Sequence, residues 1–334
     1  MTSVLRHLSE RFTANIDREI KGWLSFEEGE PSMRNMLRYQ LGYVDQDLQP
    51  GPGGGKRFRP ILCLLAAEAV SGEWTNVLPL AAAIELVHNF SLIHDDIEDQ
   101  DAFRRHRPTV WKVWGEAQAI NAGDGMFALA GRAALAAGDS LSTLEIARRF
   151  QDTVLKLTEG QFLDLRFETA TDVAIDTYLR MIELKTSALI AFSVWSGATA
   201  AGAGDEPRAA LNCFGRDLGL AFQIHDDIMG IWGTPQETGK EPHTDLLNRK
   251  KTLPVLIAFE RAGSEQHAIL SDFYSRRNDD VSAVLQVLQE TGARQEAEVA
   301  VNRHRSAASR QLDRAELSPA ATQTFSELTK ELTG

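Results

Sequence analysis

HNFSLIHDDIED (residues 88–99) and FQIHDDIMG (residues 222–230) decide how this chain is read. Each sets an aspartate pair, preceded by Ile-His, on an otherwise apolar helical stretch, where carboxylates beside buried surface are costly. One such pair is ordinarily a solvated face or a cap. Two point to facing carboxylate walls that hold cations between them, with substrate phosphates completing the oxygen shell that Mg²⁺ requires. In the first stretch His88, Leu92, Asp95 and Asp99 follow steps of four or three and share a stripe. Asp95 and Asp99 can therefore ligate hard cations together, while Asp96 sits about 100° round the helix. In the second stretch Gly230 stands where a third carboxylate would be, which leaves Asp226 as the leading ligand with water-mediated help from Asp227.

The helical pattern extends outward from these two stretches. Residues 1–48 read as one or two amphipathic helices, with Leu5, Leu8, Phe12 and Ile16 at helical spacing. A break at Gly51–Gly55 precedes a helix to about Val70, and the next runs from about Leu78 to Asp99. The loop DQDAFRRHRPT follows, and helical periodicity then covers about 111–137, 141–168, 173–202 and 207–232. A polar loop over about 233–247 leads to shorter helices. Runs of alternating β-branched residues are not found, so the expected fold is all-α: ten or more helices in one domain over 1–334, with 1–48 an N-terminal helical segment.

Composition sets the boundaries. A net charge of −12 disfavours nucleic acid as a partner and makes local basic clusters more conspicuous. Cys63 and Cys213 lie in apolar helical surroundings at no metal-ligand spacing, which reads as ordinary buried thiols of a reducing cytoplasm. No charge-free apolar stretch suits an integral membrane segment, and MTSVLRHLSERF lacks a signal-like apolar core. The expected location is cytoplasmic.

The basic clusters match the carboxylates. Lys56, Arg57 and Arg59 follow three glycines at the start of a helix, whose dipole also favours anions. Arg104 and Arg105 follow the first aspartates on a loop able to fold over them. Lys185 and Thr186 interrupt an apolar helix, where an unpaired ammonium would be costly. Lys240 and Lys250 flank the second aspartates. Carboxylates for Mg²⁺ and Arg or Lys for phosphate oxygens are the dual equipment for a substrate bearing a diphosphate.

In this order the elements resemble the trans-isoprenyl diphosphate synthase (polyprenyl synthetase) family from about residue 51 to 255. The matching strings are GGKRFRP (54–60), HNFSLIHDDIED (88–99), RRHRPT (104–109), AGDGM (122–126), GQFLDL (160–165), KTSALI (185–190), FQIHDDIMG (222–230), TGK (238–240) and RKKTLP (249–254). The resemblance implies the isoprenoid synthase fold, long helices around a deep central cavity, commonly as a homodimer. It implies head-to-tail condensation of isopentenyl diphosphate with an allylic prenyl diphosphate, and three Mg²⁺ ions with the latter. By motif match, Asp95, Asp96 and Asp99 hold Mg²⁺ against the allylic diphosphate, and Asp226 supplies the opposite wall. Lys185, Lys240 and Arg104 grip that diphosphate, while Lys56, Arg59, His88 and Arg105 form the metal-free pocket for isopentenyl diphosphate. Thr186 and Gln223 steady the allylic cation, and Lys250 closes the mouth.

Two departures stand out. His106 replaces the glycine of the usual Arg-Arg-Gly-x-Pro-Thr, and Gly230 removes the last aspartate of the second motif, as in a subgroup with Gly-Ile-Trp-Gly after the pair. Product length should be set on the helix of the first motif. Phe90 stands five residues before Asp95, and Val87 and Leu86 lie about a turn deeper. At about 1.5 Å of rise per residue, each turn adds roughly one isoprene unit of depth. An aromatic at residue 90 resembles family members that make geranylgeranyl diphosphate. Farnesyl and geranylfarnesyl diphosphate are the alternatives, followed by a class I terpene cyclase and a non-catalytic partner subunit.

Overall fold

The structure is a computed structural model that describes residues 3–25, 30–137, 141–170, 172–238 and 241–334. Its helices are, in chain order, α1 Val4–Trp23, α2 Pro31–Gln40, α3 Phe58–Ser71, α4 Leu78–Glu98, α5 Val110–Trp114, α6 Glu116–Leu135, α7 Leu141–Thr169, α8 Ile175–Ile182 and α9 Ala188–Ala200. There follow α10 Asp205–Trp232, α11 Pro235–Thr238, α12 Thr244–Leu247, α13 Leu253–Arg261, α14 Ser264–Tyr274, α15 Val281–Glu290, α16 Ala293–Arg314 and α17 Pro319–Thr333. The all-α expectation holds. Two short strands, β1 Phe103–Arg104 and β2 Arg107–Pro108, pair antiparallel within the loop after α4.

Departures from the sequence reading are local. Gly115, at φ 86°, separates α5 from α6, where periodicity alone suggests one helix. A π-helical turn over Glu183–Ser187 joins α8 to α9. The polar loop contains the short α11 and α12. Cys63 is buried and Cys213 half-buried, and both are free thiols.

The chain divides into two compact units. The first comprises Met1–Leu155, Leu189–Asn212 and Arg314–Thr324; the second comprises Lys156–Ala188, Cys213–Asp313 and Phe325–Gly334. In the first, α4 is the central helix and packs against α1, α3 and α6. It is buried on most sides: Ala81, Ala82, Ala83, Ile84, Leu86 and Val87 are fully buried, and the buried Glu85 and Asn89 lie among them. The stretch Thr75–Glu98 is long and apolar enough to cross a membrane, yet 61% of its most apolar window is buried inside the protein. In the second unit, Leu220, Ile224, Ile228 and Ile231 form a stripe on α10 at steps of four or three. The stripe belongs to a core that includes Tyr178 and Ile182 of α8, Leu256 of α13, Phe273 of α14 and Leu288 of α15.

Candidate active site

In the first unit the aspartates close α4. Asp95 and Asp99 stand one turn apart, with the Asp99 amide donating to the Asp95 carbonyl at 2.9 Å. Asp96 turns inward and is only 1% exposed. The β1–β2 hairpin folds back over this end: Arg104 Nε donates to Asp96 Oδ1 at 2.5 Å and Nη2 to Asp95 Oδ2 at 3.2 Å. Burial pushes the Asp96 carboxyl up to about 6, although Arg104 pulls the other way. Its second oxygen, Oδ2, is buried with no protein partner. The loop expected to fold over the aspartates therefore does so through Arg104.

Behind the hairpin lies a cluster rich in positive charge. Arg59 Nη1 is 3.4 Å from His88 Nε2, and Arg59 Nε is buried without a partner. Burial pushes Arg59 down to about 10, with Arg105 adding to the effect and Glu85 opposing it. His88 is driven well below its usual value, first by burial and then by Arg59 and Arg105, so it is neutral. Gly55 has φ 91°, and a side chain there would press on the guanidinium of Arg105. The glycine run thus lets Arg105 lie directly on the loop that carries Lys56. Beside this cluster is a cavity of about 470 Å³ whose lining includes Gly53, Gly54, Leu92, Asp96, Arg104 and Arg105.

Arg57, the third basic residue of GGKRFRP, faces the other way. It is 3% exposed and left-handed (φ 51°), with Nη1 donating to Glu85 Oε1 at 2.5 Å and Nε to Asp17 Oδ1 at 3.1 Å. Tyr43 donates to Asp17 at 2.8 Å, and Asn89 Nδ2 to Glu85 Oε1 at 2.9 Å. This buried ion pair anchors the glycine-rich loop to α1 and α4. The sequence places Arg57 in the basic cluster; its burial explains why only Lys56 and Arg59 remain as candidates for a phosphate.

In the second unit the π-helical turn carries Lys185 and Thr186. A side chain at Gly160 on α7 would overlap the backbone of Lys185, so glycine there lets the turn sit tightly on α7. Lys185 Nζ donates to Asp164 Oδ2 of α7 at 2.6 Å, which answers the cost of an ammonium in an apolar helix. Thr186 is buried, and its hydroxyl donates to Gln223 Oε1 of α10 at 2.8 Å. Gln223 Nε2 in turn donates to Asp227 Oδ1 at 3.1 Å.

Asp226 is exposed at the start of the last turns of α10, whereas Asp227 is 4% exposed. Asp227 Oδ2 accepts from the Tyr178 hydroxyl and from the Leu253 amide at 3.2 Å. Burial pushes the Asp227 carboxyl up to about 7 against the pull of Tyr178 and Gln223. Three protein donors thus meet the two Asp227 oxygens, two on Oδ2 and one on Oδ1. Lys250 is exposed, and its amide donates to the Asp245 carbonyl at 2.8 Å. Lys240 and Gly239 of the TGK string lie outside the described residues.

Both departures have a physical account. Arg105 and His106 form the hairpin turn at φ 52° and 61°, so His106 holds the left-handed backbone that glycine adopts without strain. At Gly230 the space for a side chain is taken by the carboxylate of Asp245 from α12. Sequence reasoning missed Asp164, Tyr178 and Asp245. Asp164 was within reach as the acid of GQFLDL, four residues after the glycine; Tyr178 and Asp245 carry no local signal.

Among the described residues, no three His, Cys, Asp or Glu side chains gather as a metal cluster. The donors present are carboxylates, the hard oxygen ligands that suit Mg²⁺, and one or two per ion is what a cation shared with phosphate and water needs. The donor set fits that ion.

A polyprenyl synthetase family model matches residues 48–291. A (2E,6E)-farnesyl diphosphate synthase from Mycobacterium bovis is 42% identical over 282 residues, 82% of this chain and 78% of that protein. A geranylgeranyl diphosphate synthase from Mycobacterium tuberculosis is 45% identical over 235 residues, 70% and 67% of the two chains. The crystal structure of a polyprenyl synthetase from Streptomyces coelicolor A3(2) superposes with a TM-score of 0.91 at 34% identity, covering 99% of this chain and all of that one. The chain belongs to the polyprenyl synthetase family. It is a trans-prenyltransferase with the isoprenoid synthase fold.

Proposed function

We propose that the protein condenses isopentenyl diphosphate head-to-tail with an allylic prenyl diphosphate and yields geranylgeranyl diphosphate. The observation that carries the condensation is the pairing of two differently equipped anion sites. One is the acidic end of α4 with Arg104 across it; the other is the Arg59–His88–Arg105 cluster. A diphosphate that leaves needs cations to take up its charge, whereas one that only anchors a substrate needs none beyond the protein's own arginines.

On this reading Asp95, Asp99 and Asp226 are the carboxylates that would hold Mg²⁺. Magnesium held by these carboxylates would supply positive charge to a departing diphosphate. Asp96 serves the site by anchoring Arg104, which with Lys185 and Lys240 grips the allylic diphosphate. Lys56, Arg59 and Arg105 hold isopentenyl diphosphate, and His88, being neutral, offers a hydrogen bond without adding charge. Thr186 and Gln223 turn oxygen atoms toward the allylic cation. The double bond attacks it, and the proton then lost passes to the released pyrophosphate, so the protein needs no general base of its own. Water must be kept out during this step, and closure by Lys250 serves that end.

Support for the geranylgeranyl product comes from Phe90. It packs edge-on to His94 (5.0 Å between centroids) and against Phe127 of α6 (5.3 Å), an aromatic cluster five residues before Asp95. Val87 is fully buried a turn deeper. The relatives named above are synthases of two product lengths, so farnesyl diphosphate is the second reading; they do not favour a cyclase or a silent subunit. Exposed Ile120 and Leu135 on α6 and Leu144 and Leu155 on α7 support a homodimer through these helices. The test is incubation with isopentenyl diphosphate, Mg²⁺ and each allylic starter, followed by chain-length analysis of the dephosphorylated products. Absence of any elongated prenyl alcohol would refute the condensation; a farnesyl end point would refute the product length.

A further inference from the structure

Gln223 is an amide, and an amide can face either way unless a neighbour decides. Here Asp227 decides. In its ionised form Asp227 only accepts, and the Gln223 nitrogen turns to its Oδ1 (3.1 Å). The Gln223 oxygen is then left for the Thr186 hydroxyl, which donates to it at 2.8 Å. With its proton committed, Thr186 Oγ1 presents only lone pairs to whatever else lies against it. The orientation of Asp227 is itself fixed from the far side, where Tyr178 and the Leu253 amide both donate to Oδ2. The aligned donors run from Thr186 in the π-helical turn to Gln223 and from Gln223 to Asp227 on α10, and Tyr178 on α8 donates to the same carboxylate from the opposite side.

We infer that Asp227 is a positioning residue for ionisation. It fixes the direction of the Gln223–Thr186 pair and polarises it, so that oxygen lone pairs, and no N–H donor, meet the positive charge forming on the allylic carbon. The inference rests on the reading above that Thr186 and Gln223 face that carbon. Aligned hydrogen bonds in a buried site strengthen one another, so an anion two residues removed can raise the electron density at the last oxygen.

The test is Asp227→Asn, which keeps shape and size. Tyr178 and the Leu253 amide still demand an acceptor, so the new amide must turn its oxygen to them and its nitrogen to Gln223. Two donors would then face each other, and Gln223 must flip, aiming its own nitrogen at Thr186. The expected result is a kcat lowered roughly tenfold to a hundredfold, with the KM for both diphosphates within about twofold. In a Gln223→Leu background the same substitution should cost nothing further, since no amide remains to flip. Tyr178→Phe separates positioning from scaffolding: it loosens the packing and lowers Tm, yet leaves kcat within about threefold, because Asp227 keeps its bond to Gln223.

Three outcomes would overturn the inference. They are an unchanged kcat in Asp227→Asn, losses that add independently with Gln223→Leu, or equal kcat losses in Tyr178→Phe and Asp227→Asn. Should Asp227→Asn fail to fold, Asp227→Glu keeps the acceptor but displaces it; kcat must fall there with KM unchanged, and a normal kcat overturns the inference. A wild-type protein that elongates no allylic starter would instead sink the functional reading, and the two failures are told apart by that control.

Discussion

The carboxylate of Asp245 occupies the space in which a side chain at Gly230 would stand. An acid from the neighbouring α12 thus fills the space beside the position where the motif lacks its third acid, and its charge also bears on Asp227 and Tyr178. Restoring the missing aspartate by Gly230→Asp should therefore harm the protein. The new side chain displaces Asp245, with overpacking worth about 1–3 kcal/mol and an extra negative charge beside Asp227. The swap Gly230→Asp with Asp245→Gly should recover most of the lost Tm and turnover. A Gly230→Asp single variant as stable and active as the parent would show that the two positions do not compete.

Asp95 and Asp96 are adjacent in sequence and should behave differently. Asp95→Ala should lower turnover by roughly a hundredfold or more while leaving the melting temperature nearly intact, since its side chain is half-buried at a helix end. Asp96→Asn should lower Tm, because Asp96 is 1% exposed and bonded to Arg104, with a cost of about 1–3 kcal/mol. Thermal melts and initial rates of both variants check this. Equal behaviour in the two assays would mean that the inward turn of Asp96 has no consequence.

Arg59 and Arg105 should govern one substrate alone. Arg59→Gln is expected to raise the KM for isopentenyl diphosphate by roughly tenfold or more, with the allylic KM changed far less. Steady-state kinetics with each substrate varied in turn provide the measurement, and equal rises in both constants would reject the pocket.

How much of this was legible beforehand depended on periodicity. The helix limits around both aspartate pairs fell close to the structure, because α4 is mostly apolar along its length and α10 carries an unbroken stripe from Leu220 to Ile231. The π-helical turn was not legible, since KTSALI continues a helical pattern and only the contact with Gly160 reveals the tight approach. Nor was the inward fate of Asp96 and Asp227. A second aspartate about 100° from the first can face water or core, and its side depends on donors distant in sequence, Arg104 for one and Tyr178 and Leu253 for the other. Arg57 shows the same limit, because its acids come from α1 and α4.

His88 makes a pH prediction. It is held neutral, with its proton affinity driven well below the ordinary value of 6.5 by burial and then by Arg59 and Arg105. Below about pH 6.5 the unfolded chain takes up a proton at this position that the folded chain refuses, so stability falls as pH drops through that value and is flat above it. The slope from this one group is at most ~1.4 kcal/mol per pH unit. His88→Gln should remove that part of the acid sensitivity, as seen in denaturant midpoints between about pH 5 and 7. Identical pH profiles for parent and variant would mean that His88 is protonated in the fold.

Phe90 carries the prediction about length. Its ring is wedged between His94 and Phe127, so Phe90→Ala opens a space bounded by Val87 one turn deeper on α4. One helical turn is about 5.4 Å, close to one isoprene unit, so products should lengthen by one unit or more. Removing a half-buried ring should also cost stability, by less than the ~3–5 kcal/mol of a fully buried phenylalanine. Val87→Ala alone should leave the products unchanged while Phe90 still blocks the way, and should lengthen them further when combined with Phe90→Ala. Product chains that stay the same length in Phe90→Ala would place the limiting contact on another helix and remove the physical basis for choosing geranylgeranyl over farnesyl diphosphate.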